Sequence, residues 1–259
     1  VIDLRDATLA RLREVFGGET SHKGRLHNWV RAGKSSVVVF YSGHGVPGLN
    51  DRRGYLLPVD GDPHLGEISG YSLDLLYRNL SRLEARSVTV YLDACFSGNS
   101  HGGVLVRQAS GLAVTPRLPG AAPRMTVVSA AESDQLASWD EDARHGLFTR
   151  HLLVALRGTA DRKAHGDADG RVTLGEVRRY LDDEMTYQAR RRYGRDQRAT
   201  VIGDATTILA TVAPKTAPQT PAVKVGETVE EMDTELVALK NANVRAGPST
   251  SQSKLTVIG

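Results

Sequence analysis

Three short stretches of the chain are apolar almost without interruption: Val37-Val38-Val39-Phe40-Tyr41, Val88-Thr89-Val90-Tyr91-Leu92 and Met125-Thr126-Val127-Val128. Runs of this length, rich in β-branched residues and closed by small residues, predict strands buried on both faces. They are placed at 35–41, 87–92 and 125–129. Elsewhere the apolar period lengthens to that of a helix. Leu9, Leu12, Val15 and Phe16 share one face of a helix over 6–16, with Asp6 as its N-cap. Leu73, Leu76, Tyr77 and Leu80 mark a helix over 72–83, and Leu147, Phe148, Leu152 and Leu156 one over 147–156. A further helix is predicted over 174–185. Shorter extended pieces are expected at 55–59 and 207–212. Helices alternating with continuously apolar strands predict an α/β fold, a mainly parallel sheet flanked by helices on both sides. Sites in such sheets lie beyond the carboxyl ends of the strands.

This pattern covers residues 1–212. A long Gly/Pro/Ser-rich loop is expected over 98–124, and loops of that length usually have a function or lack order. Residues 213–226, which include Ala213-Pro214-Lys215-Thr216-Ala217-Pro218, read as an extended, solvated linker. A different β module occupies 227–259. The chain opens as if within a strand and closes in the strand-like run Leu255-Thr256-Val257-Ile258, so both ends read as cut from a longer protein. The formal net charge of +3 is too small to argue for a nucleic-acid partner. The basic run Ala189-Arg190-Arg191-Arg192-Tyr193-Gly194-Arg195 reads as solvated surface. No apolar stretch reaches the roughly 18 residues needed to span a membrane.

Chemistry concentrates at two strand ends. The first run stops at Ser42-Gly43-His44-Gly45 and the second at Asp93-Ala94-Cys95-Phe96-Ser97-Gly98. Cys95 is the single cysteine in 259 residues, which excludes an internal disulfide and a thiolate metal cluster. His22, His27, His64 and His101 lack ligand-like spacing, so no metal site is expected around the pair. A lone buried cysteine is usually a small hydrophobe, and a lone histidine after a strand usually packs or caps. Two such residues, each after a buried strand and each flanked by glycine, point instead to a Cys–His nucleophile. A nearby imidazolium would lower the thiol pKa and raise the thiolate population. The same imidazole could then protonate the leaving amine. Backbone amides of Gly45 and Cys95 are the natural oxyanion donors.

The blocks Tyr41-Ser42-Gly43-His44-Gly45 and Leu92-Asp93-Ala94-Cys95-Phe96-Ser97-Gly98 resemble the signatures of caspase-like cysteine peptidases. The bacterial metacaspase-like branch, or orthocaspases, is the closer likeness. The block at 130–137 also resembles family blocks, as do His145-Gly146-Leu147-Phe148-Thr149 and residues 166–176. The resemblance implies a caspase-like sheet, His44 as general base and acid, Cys95 as nucleophile and the Gly45 amide as an oxyanion donor. Metacaspases that cut after Arg or Lys carry Asp where Asp93 stands, and Ser42 matches another residue lining that pocket. The expected substrates are therefore peptides or proteins with exposed Arg or Lys.

Further expectations follow from the likeness. The family's first strand and helix should precede Val1. Calcium, an activator in many metacaspases, is the one candidate cofactor, although 99–103 lack the usual carboxylate. An EF-hand reading of Asp167-Ala168-Asp169-Gly170 would put His165, a poor hard-ion ligand, at its first position. A turn is the plainer reading. Arg107 and Arg117, in the long loop, are candidate self-cleavage sites. Asn243-Val244-Arg245-Ala246-Gly247-Pro248 resembles the start of a bacterial SH3-like domain, with a cell-wall or peptide ligand expected for it. The expected location is left open between the bacterial cytoplasm and the cell envelope. The competing reading is a catalytically incompetent caspase-like scaffold that serves as a binding module.

Overall fold

The computed structural model describes residues 1–97, 99–100, 103–104, 124–132, 135, 137–140 and 145–212. The linker, the SH3-like module, Arg107 and Arg117 lie outside the described residues.

The chain begins with α1 (Leu9–Phe16) and α2 (Arg25–Trp29), then β1 (Ser36–Ser42). A small antiparallel sheet follows, built from β2 (Gly45–Pro47), β3 (Gly54–Leu56) and β4 (Tyr71–Ser72), with α3 (Gly66–Ser69) inserted before β4. Next come α4 (Leu73–Ser81), β5 (Ser87–Asp93) and a two-stranded ladder of β6 (Asn99–Ser100) and β7 (Gly103–Val104). β8 (Met125–Ser129) precedes the pair β9 (Trp139–Asp140) and β10 (His145–Gly146), and α5 (Leu147–Val154) continues from β10. The remaining elements are β11 (Arg171–Thr173), α6 (Leu174–Tyr180), α7 (Thr186–Tyr193), β12 (Thr200–Ile202) and β13 (Ile208–Thr211).

The main sheet has the order β1-β5-β8-β12. β1, β5 and β8 are parallel, with Ser42 opposite Asp93 and Leu92 opposite Ser129. β12 runs antiparallel to β8 and closes the far edge. The mainly parallel sheet expected from the apolar runs is present.

Alternate residues of the sheet feed two separate cores. Val37, Val39, Val88, Val90, Leu92 and Val127 pack with Leu12 of α1 and with Leu73, Leu76 and Leu80 of α4. Tyr91 and Val128 point the other way, to Leu147, Phe148 and Leu152 of α5 and Leu174 and Val177 of α6. The two-sided cover predicted for all three runs is complete for β8 and nearly so for β5, where Thr89 is half-buried. It fails for β1, where Val38 and Phe40 are 65% and 52% exposed. A continuously apolar run says nothing about where the covering helices end: α5 and α6 lie on the same face as Val38 and Phe40, but their core takes in Tyr91 of β5 and Val128 of β8 and no residue of β1.

Other boundaries differ for local reasons. Helix α1 starts at Leu9, capped by the Thr8 side chain, which accepts from the Arg11 amide. Asp6 is not the cap and adopts a left-handed φ of 47°. Asp60 from the following loop takes the Leu9 amide at 2.9 Å. Helix α6 carries a capping box between Thr173 and Glu176 and continues through a π-helical turn at Leu181–Met185 into α7. The helix therefore runs past 185, to Gly194, whose positive φ ends it. The late strand forms as β13, but it pairs with β11 in a separate ladder. β12 was not anticipated, because three residues carry too little pattern.

Candidate active site

His44 and Cys95 reach the same end of the sheet because β1 and β5 are parallel and in register. Each lies two residues beyond the Ser42–Asp93 pair, and the Gly43 amide extends the ladder by donating to the Asp93 carbonyl at 3.2 Å. The next turn is tight. A Cβ built on Gly45 would lie 2.6 Å from the Cys95 carbonyl oxygen and 2.5 Å from the Phe96 ring. Only glycine lets the His44–Gly45 backbone lie against the Cys95–Phe96 backbone. The buried Tyr41 hydroxyl donates to the His44 carbonyl at 2.7 Å, and the Leu57 amide donates to the same oxygen at 2.9 Å. The backbone at His44 is thus pinned by β1 and by the small sheet.

The His44 residue is exposed, yet partial desolvation of its ring holds the imidazole below its ordinary pKa. Cys95 is half-buried. Burial pushes its thiol up to about 11, with the negative Asp93 adding to the rise, while the Ala137 amide and Arg195 oppose it. At neutral pH these surroundings favour a protonated thiol at Cys95 and a neutral imidazole at His44.

The Cys95 sulfur has a specific partner. The Ala137 backbone N–H donates to Sγ at 2.7 Å. Ala137 sits in the segment between β8 and β9, and that segment is tied down by residues 195–198. The Ser138 amide donates to Gln197 Oε1 at 2.8 Å, and Gln197 Nε2 donates to the Ala130 carbonyl at 2.9 Å. Arg195 Nη2 donates to Ser138 Oγ at 3.0 Å. None of these partners was singled out from the sequence as a site residue. Ala137 acts through its backbone, which leaves no side-chain signature. Arg195 closes the basic run read as solvated surface; its neighbour Arg190 does pair outward with Asp196, but Arg195 turns inward.

Asp93 is buried at 8% exposure. Its carboxylate accepts from both the hydroxyl and the amide of Thr149, in the first turn of α5, and burial still raises its pKa above the ordinary range. The N-cap residue of α5, Gly146, has no side chain to offer. A Cβ there would fall 2.1 Å from Asp93 Oδ2. Asp93 therefore serves as the helix's capping carboxylate from a distant strand. Ser42, across the ladder, is exposed.

A second acidic cluster lies away from this end of the sheet. Oxygens of Asp161, Asp167 and Asp169 approach within 4.8 Å of one another and could hold a metal ion. Asp161 was not foreseen in that role. The carboxylates also accept backbone N–H groups: Asp161 takes the amides of Asp169 and Gly170 at 3.1 and 3.0 Å. His165 packs edge-on against Tyr180 with Nε2 3.5 Å from Asp183.

A mainly parallel sheet with helices on both faces is consistent with a caspase-like fold. The caspase domain family model matches residues 23–211, and the chain belongs to that family. A search of curated proteins gave no significant match. No described helix is long and apolar enough to cross a membrane.

Proposed function

We propose that the protein is a cysteine endopeptidase of the metacaspase-like branch that cleaves after Arg or Lys. The observation that carries this reading is the in-register pairing of β1 and β5, which delivers His44 and Cys95 to neighbouring positions at one sheet end. Because the resting thiol is protonated, His44 acts as general base when substrate enters. It takes the Cys95 proton as sulfur attacks the scissile carbonyl carbon. The Gly45 and Cys95 amides receive the oxyanion. Collapse breaks the C–N bond, the amine leaves with the proton from His44, and a thioester remains on Cys95. Water, deprotonated by His44, then hydrolyses the thioester and restores the thiol.

Asp93 supports the basic preference through its energetics. A buried carboxylate with a raised pKa is an incompletely compensated charge, and a substrate guanidinium offers both compensation and bidentate hydrogen bonds. Ser42 on the neighbouring strand lines the same approach. Peptides that vary in the residue before the scissile bond test the reading. Arg and Lys substrates are expected to turn over, Asp substrates to be spared, and Cys95→Ala to abolish turnover. Activity that survives Cys95→Ala would overturn the nucleophile. Equal cleavage after Asp and Arg would overturn the pocket. No turnover of any peptide by the full-length protein would favour the scaffold reading.

Self-cleavage at Arg107 or Arg117 accompanies this preference, since both stand in the Gly/Pro/Ser-rich sequence that follows the nucleophile. Intact mass of the active enzyme checks it; an uncut, fully active chain rules it out. Calcium activation is proposed through Asp161, Asp167 and Asp169, and turnover unchanged by calcium or chelator would refute it. The SH3-like start near Asn243 is proposed to bind a cell-wall or peptide ligand, and its removal is expected to abolish retention on peptidoglycan.

A further inference from the structure

Four hydrogen bonds close a ring around the nucleophile. The Ala130 amide donates to the Leu92 carbonyl at 2.8 Å, extending the β5–β8 ladder one step past β8. The carbonyl of that same Ala130 accepts Gln197 Nε2 at 2.9 Å. Oε1 of Gln197 accepts the Ser138 amide at 2.8 Å. The adjacent Ala137 amide donates to Cys95 Sγ at 2.7 Å, and Cys95 follows Leu92 on the same strand end. Gln197 is fully buried, at 0% exposure, and its own carbonyl accepts Thr186 Oγ1 at 3.1 Å. Both ends of its amide are spent on tying Ser138 to Ala130, which is itself bonded to the strand that carries the sulfur.

We propose that Gln197 is a positioning residue for the nucleophile: it holds the Ala137 N–H on Cys95 Sγ, and so gives the thiolate a backbone donor that does not depend on His44. The inference rests on Cys95 being the reactive group. A donor aimed at sulfur stabilises the anion more than the thiol. Arg195, anchored on Ser138 Oγ, adds a cation on the same side. The donor works against the burial that disfavours the anion, so its loss should make a reluctant thiol more reluctant still.

The test uses the full chain and iodoacetamide at pH 8, since Cys95 is its single cysteine. Gln197→Met keeps the volume and removes both hydrogen bonds. It is expected to slow Cys95 alkylation about tenfold, the change in thiolate fraction for one pKa unit. Arg195→Gln should slow it by a smaller factor. A purely structural role predicts the opposite sign, because a loosened segment exposes the sulfur and speeds labelling. Unchanged or faster labelling in a folded Gln197→Met protein overturns the proposal. If that variant does not fold, Arg195→Gln and the wild-type Ala137 amide resonance decide. That resonance should move as Cys95 ionises, and its remaining still would overturn the proposal. Alkylation needs no peptide turnover. A slowed variant of a protein that cleaves nothing would sink the peptidase reading and leave this one standing.

Discussion

β1 and β5 are neighbours in one sheet, equally apolar in sequence and paired residue for residue, yet they occupy different environments. β5 is covered on both faces, with Val90 and Leu92 in one core and Tyr91 in the other. β1 is covered on one face, and Val38 and Phe40 meet solvent on the other. The difference carries through to the residues they deliver. The sulfur at the end of β5 is half-buried, and its anion is disfavoured. The imidazole at the end of β1 belongs to an exposed residue. A base beside solvent can exchange its proton, while a nucleophile in drier surroundings reacts more strongly once ionised.

The largest effect that would sharpen this contrast is truncation in β5. Leu92→Ala, at a site 1% exposed, is expected to cost about 2–5 kcal/mol in chemical denaturation. A loss below about 1 kcal/mol would show that β5 is not the strand the fold leans on.

The next effect is pH-dependent. The Cys95 thiol is raised from 9.0 to about 11 in the folded chain. Below pH 9 it is protonated in both states, and its contribution to stability is fully present. Between 9 and 11 the unfolded chain ionises first, so stability falls, by on the order of 2 kcal/mol. Cys95→Ala should flatten this alkaline slope in denaturation curves measured from pH 8 to 11. An identical slope in both proteins would break the assigned contrast between the two strand ends.

A smaller effect concerns the charge beside the sulfur. Asp93→Asn keeps an acceptor for Thr149 but removes the anion that raises the Cys95 pKa. Alkylation at pH 8 should accelerate roughly threefold, while any preference for Arg or Lys substrates is lost. Slower alkylation would place Asp93 outside the sulfur's electrostatic reach.

The smallest effect belongs to the open face of β1. Phe40→Ser is expected to change stability by no more than about 0.5 kcal/mol, measured under the same conditions as Leu92→Ala. A loss comparable to that of Leu92→Ala would mean that something covers the exposed face of β1.

Much of this was legible before any coordinates. The apolar runs located β1, β5 and β8, since short doubly apolar segments have few other uses in a soluble domain. The glycines after each run marked where a reactive side chain could sit. Less local features were not legible. Thr8, not Asp6, caps α1, because Asp60 arrives from another segment to take the Leu9 amide. The basic run near Arg190 was read as surface, and Arg195 departs from it because Ser138 lies within reach. Asp161 joins Asp167 and Asp169 only through the turn that folds the segment after α5 back on itself.

By itself the sequence determined the three central strands, the helices that pack on them and the two candidate reactive side chains, because periodicity and residue chemistry are written along the chain. The tertiary structure decided which strands are neighbours, which face of β1 stays open, that Asp93 caps α5, and that Gln197 holds the Ala137 amide on the sulfur. These depend on contacts between segments as many as 75 residues apart, as between Val127 and Ile202, and a backbone donor or a burial cost has no letter of its own in the chain.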